Sequence, residues 1–156
     1  MTAKSAFDAE QWARITEAPA LVAMRVMTAT RGGTLREGVS LARTYAEARR
    51  DGGDGLVDEI IRSAPTLDPG EVRGPDELRE RADRVLRGAL ADLDRVAEAS
   101  EAGRYREFVR RLAETVARAH REGGFLGVGG TEVSDPERAV LDEIAAVLDA
   151  PPAAAP

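Results

Sequence analysis

Cysteine is absent from this 156-residue chain. That excludes disulfides, thiolate metal sites and a cysteine nucleophile. Histidine occurs once, at His120. A zinc site needs more imidazole or thiolate than one histidine supplies. A serine–histidine–carboxylate triad would hang on that single ring, and no nucleophile elbow accompanies it. His120 lies between Arg118 and Arg121 near the expected end of a helix, where an imidazole interacts well with the helix dipole. Aromatic residues make up only 4%, so the core must be built from Ala, Val, Leu and Ile. No apolar run approaches the roughly 20 residues of a membrane span. The first residues carry no signal-peptide pattern. Lysine is nearly missing as well: Lys4 stands alone among arginines, as a GC-rich coding sequence would produce. The expectation is a cytoplasmic protein that neither enters nor coats a membrane.

What is present fits a packed core under a charged surface. Apolar residues make up 43% and charged residues 32%. The net charge of −6 argues against general affinity for nucleic acid. The length suits one domain, expected over residues 1–150, followed by a disordered tail at 151–156. Spacings of three and four between apolar residues recur along the chain, and no segment shows a convincing period of two. The fold class is therefore all-α: a compact single-domain bundle of six or seven helices, some short, around a central apolar helix.

The expected elements run as follows. Residues 1–6 form a short mobile start. Asp8 caps a short helix carrying Trp12 and Ile15. Pro19 breaks or kinks it, because the residue before proline avoids helical geometry. The central helix covers residues 19–30 and is apolar nearly all round. A further helix covers residues 34–50, with Thr34 at its cap. Leu56, Val57, Ile60 and Ile61 lie on a short amphipathic helix. A loop rich in proline and glycine spans residues 63–74. Pro75, Asp76 and Glu77 then open the clearest helix, expected to persist to about residue 100. Gly103 marks a turn or bend. The next helix carries Tyr105, Phe108, Val109, Leu112, Val116 and Ala119. Ser134, Pro136 and Glu137 start the last one with a capping-box pattern.

Four features invite a functional reading. Residues 123–130 read Gly-Gly-Phe-Leu-Gly-Val-Gly-Gly. Glycine at that density stops a helix, yet a plain solvent linker would not carry Phe125, Leu126 and Val128. These three residues are expected to fold back onto the bundle or to face a partner. The glycines do not match a dinucleotide-binding pattern, since a helix precedes them. Asp51 and Asp54 do not make a calcium loop, because Arg62 stands where a bidentate Glu is required.

Arginine is the second feature. Residues 104–121 hold six arginines against Glu107 and Glu114. Arg104, Arg111 and Arg118 are seven apart and share a face, which suits a protein partner of acidic character. Residues 75–101 hold eight acids against five arginines. Two neighbouring helices of opposite bias also make a complementary hairpin, and the sequence favours that reading. Third, Arg25 sits in the most apolar helix, where a charge is costly unless paired. It either reaches an edge through its long stem, the favoured reading, or meets a buried carboxylate and marks a ligand site.

The last feature is Gly130-Thr-Glu-Val-Ser-Asp-Pro-Glu137, followed after Arg138 by Ala-Val-Leu-Asp-Glu-Ile. This stretch resembles the second half of TerB-like helical domains. Val26 to Val39, with its Gly32-Gly33 turn, is similar to a weak first copy. The resemblance covers about a third of the chain and implies a compact helical bundle used as an interaction or accessory module. The turns of that family are usually acidic and linked to metal binding. Here Arg31 occupies the first turn and apolar residues the second, so no metal role is carried over. No metal and no cofactor is expected. The functional expectation is a non-catalytic cytoplasmic interaction or accessory module with a protein partner, compatible with a homo-oligomer. The alternative is a small-ligand-binding protein or enzyme with an inter-helix pocket near the glycine connector.

Overall fold

A computed structural model describes residues 2–29, 45–46, 55–65, 73–122 and 135–151, the side chains of residues 119–122 excepted. The described residues are helical, without strand, and form five α-helices. These are α1 (Ala9–Ala29), α2 (Leu56–Arg62), α3 (Pro75–Val96), α4 (Ala99–Glu122) and α5 (Asp135–Leu148). A single 3-10 turn, Lys4–Ala6, precedes them. Tyr45 and Ala46 are also helical, and the rest of the helix expected over residues 34–50 lies outside the described residues. So do residues 152–156 of the expected tail. No helix among the described residues is long and apolar enough to cross a membrane.

α1 packs against each of the other four helices. It begins with a reciprocal cap. The Gln11 amide donates to Asp8 Oδ1 at 2.8 Å, and the Asp8 amide donates to Gln11 Oε1 at 2.9 Å. Each side chain satisfies a backbone donor that the first helical turn leaves open.

Two helices were expected where α1 is one, because Pro19 lies inside it. Proline has no N–H, so the carbonyl of Ile15, four residues back, loses its helical partner. Both residues are buried. The missing donor comes from another helix: the Tyr105 hydroxyl of α4 donates to the Ile15 carbonyl at 2.9 Å. Leaving a buried carbonyl unpaired costs about 1–3 kcal/mol. Tyr105 removes that penalty and lets the helix run on.

The second difference lies at the α3–α4 corner. The turn falls at Ala97 and Glu98, and Gly103 continues as helix. Ala97 is extended, with φ −87° and ψ 160°. Nothing in the local sequence is a favoured N-cap there. The cap comes instead from Thr2, 96 positions away, whose hydroxyl accepts the Glu98 amide at 3.2 Å. The Thr2 amide donates in return to both Glu101 carboxylate oxygens, at 3.0 and 2.9 Å. The Lys4 amide donates to Glu59 Oε2 of α2 at 3.1 Å. The segment expected to be mobile is thus tied to two helices.

The core follows the apolar periodicity. From α3 it takes Leu78, Ala82, Leu86, Ala89, Leu90 and Leu93, and from α4 Tyr105, Phe108, Val109, Leu112 and Val116. α5 adds Ile144, Val147 and Leu148. A small residue serves the α1–α3 contact: Ala82 packs with Leu78 of α3 and with Leu21 and Met24 of α1. Gly88 belongs to the same contact. A Cβ there would stand 3.1 Å from the Cδ of Arg14, whose stem crosses the helix at that point.

Candidate functional site

Two buried charges link α1 to α3. Arg25 of α1 is only 5% exposed. It is paired with Asp83 of α3 at 2.7 Å and with Glu143 of α5. Arg79 also reaches Glu143, at 3.1 Å. Neither reading for Arg25 holds as stated: the guanidinium does not reach an edge, and the carboxylates that meet it, Asp83 and Glu143, are themselves 34% and 41% exposed. The pairing meets the cost of burying a guanidinium, which would otherwise be several kcal/mol. An anionic ligand at Arg25 would have to displace Asp83 or Glu143.

The second charge is Asp92 of α3, 4% exposed. Arg14 of α1 donates to its Oδ2 through Nε at 2.9 Å and through the terminal nitrogen at 2.8 Å. Arg95 donates to Oδ1 at 2.6 Å. The hydrogen bond to Asp92 raises the Arg14 pKa further above its ordinary value. The pairs 14–92 and 25–83 run in opposite order along the chain, so α1 and α3 are antiparallel. Sequence reasoning did not single out Asp92. Its one legible signal is a carboxylate falling between Ala89, Leu90 and Leu93, on the apolar side of α3.

Arg104, Arg111 and Arg118 all lie exposed on α4. Arg111 is bonded to Glu107 at 2.9 Å. The neighbouring arginines are used within the fold. Arg106 pairs with Asp94 at 2.7 Å and donates to the Leu148 carbonyl at 3.2 Å. Arg110 pairs with Asp149. The complementary hairpin therefore exists as the Arg106–Asp94 bridge, and most of this basic charge points to the end of α5 or outward. Arginine at a helix C-terminus also suits the dipole. Phe125, Leu126 and Val128, with the whole connector 123–130, lie outside the described residues.

A cleft of about 630 Å³ opens between the N-terminal segment and α1–α2. Phe7 and Trp12 line it, with ring centroids 6.0 Å apart and planes tilted by 42°. The Lys4 ammonium stands 5.3 Å from the centre of the Trp12 ring. Asp8 and Glu59 complete the charged lining. The sequence held one hint of this place, since the only lysine and the only tryptophan both fall in it. Two further polar atoms are buried without a hydrogen-bond partner among the described residues, the Tyr45 hydroxyl and Asp58 Oδ1. Burial pushes the Tyr45 phenol well above its ordinary value.

No protein-family model, curated protein or solved structure matches the chain.

Proposed function

We propose that the chain is a non-catalytic cytoplasmic interaction or accessory module that docks an acidic protein segment on the outer face of α4. The TerB-like relationship belongs to the same proposal. One observation carries it. Arg104, Arg111 and Arg118 keep a heptad row on the exposed face, while Arg106 and Arg110 of the same helix are drawn into contacts with α3 and with the end of α5. The row adds little to stability, because exposed ion pairs are worth about 0–1 kcal/mol. Arg104 and Arg118, on either side of the Arg111–Glu107 pair, can steer and orient a partner of opposite sign. Binding of this kind weakens as salt rises.

The test is a charge reversal, Arg104→Glu with Arg118→Glu, combined with cross-linking and mass spectrometry in the native host. The parent should cross-link to an acidic segment through α4, and the variant should lose that cross-link while its circular dichroism stays the same. A cross-link retained by the variant, or one mapping to another face, would sink the proposal.

A further inference from the structure

We infer that the cleft at the N-terminal segment is a binding site for a small organic cation with an alkylated ammonium head, and that Lys4 is its displaceable occupant. The argument starts from the two rings. Trp12 meets the Lys4 ammonium, and Phe7 packs against Trp12 at a tilt and lines the same cleft; both rings are rooted in the core, each 8% exposed. An aromatic face attracts a cation through its quadrupole, and tryptophan does so best. The structure already shows a cation there, the Lys4 ammonium.

Lysine is a weak form of that guest. Its ammonium is compact and strongly hydrated, and holding it over a ring forfeits part of that hydration. An alkylated ammonium spreads its charge over methyl groups and loses less water. It therefore gains more from the same ring. Lys4 is itself exposed, on a single 3-10 turn, so its side chain can swing into solvent.

The remaining lining fits a cation. Lys4 gives one positive charge against the two negative charges of Asp8 and Glu59. When Lys4 leaves, the carboxylates stay. Glu59 is held by the Lys4 backbone amide and Asp8 by the Gln11 amide, so both are fixed in place before a guest arrives. The carboxylate of Asp8 also offsets the positive end of α1, which would otherwise oppose a cation. A volume of about 630 Å³ lies within the range of small-molecule sites.

The test uses the whole chain, with choline as the probe. The control is its uncharged isostere, in which carbon replaces the nitrogen. Trp12 is the only tryptophan, so its emission reports on this cleft alone. At constant ionic strength choline should shift that emission saturably, and the isostere should not match it. Lys4→Met removes the occupant and should tighten choline binding roughly two- to fivefold. Glu59→Gln should weaken it. Equal responses to choline and its isostere would overturn the inference. So would the absence of a saturable response in both the parent and the Lys4→Met variant, or binding that Lys4→Met leaves unchanged or weakens.

Discussion

The two buried charges of the α1–α3 contact are mirror images. At one end a guanidinium is inside, and its carboxylate partners Asp83 and Glu143 are 34% and 41% exposed. At the other a carboxylate is inside, and its arginine partners Arg14 and Arg95 are 37% and 65% exposed. Both arrangements neutralise the inner charge with groups that keep one side in water. They differ in what happens when the partners are removed. A carboxylate can take up a proton and become neutral. A guanidinium has no such escape, because it stays protonated throughout the pH range in which proteins fold. Equal geometry therefore conceals unequal risk.

The largest effect should come from stripping Arg25. Asp83→Asn with Glu143→Gln leaves a buried charge uncompensated and should cost about 3–5 kcal/mol in urea unfolding. That loss should be nearly the same at pH 5 and pH 7. Stripping Asp92, by Arg14→Gln with Arg95→Gln, should behave differently. Asp92 keeps the Gln11 side-chain amide as a donor at 3.4 Å and can be buried as the neutral acid, so its cost should be the smaller of the two. The deficit should shrink as the pH falls. Two deficits with the same pH profile would break the comparison.

A neutral demand sharpens it. The Ile15 carbonyl, orphaned by Pro19, has one hydrogen-bond donor in Tyr105. Tyr105→Phe should cost about 1–3 kcal/mol. Pro19→Ala restores the helical N–H, so in that background the same Tyr105→Phe change should cost much less. A double-mutant cycle on chemical denaturation measures the difference. Simple additivity would show that Tyr105 serves α1 in some other way.

The smallest effect concerns Glu101, a buried carboxylate answered by neutral donors instead of arginine. Burial raises its pKa, but the hydrogen bonds from Thr2 outweigh that and hold it below the ordinary 4.5. A pKa depressed on folding contributes stability that is complete above the ordinary value and fades as the pH falls through the folded one. Glu101→Gln should therefore lower the melting temperature modestly near neutrality. It should also flatten the loss of stability below pH 4.5. An unchanged acid limb would mean that Thr2 does not hold the carboxylate.

Much of the helical content was legible in the residues. The stripe from Leu78 to Leu93 and the stripe from Tyr105 to Val116 repeat at three and four, and both lie buried. Asp8 and Pro75 announced helix starts that the structure contains. The exposure of Arg104, Arg111 and Arg118 also agrees with their shared face. The aromatic cleft was much less legible, because Lys4, Trp12 and Glu59 come from three segments whose approach no local pattern records.

Periodicity, composition and capping chemistry act over a few residues, and those alone determined that this chain is helical and which faces it buries. The continuity of α1 through Pro19 and the corner at Ala97–Glu98 were decided elsewhere. In each case a backbone group lacked a local partner, and a side chain 90 or 96 positions away supplied it. The fate of Arg25 was decided in the same way, by carboxylates on two other helices. A buried polar group must be satisfied, but the sequence around it does not say from where. Only the packing of the helices brings the donor or the counter-charge within reach.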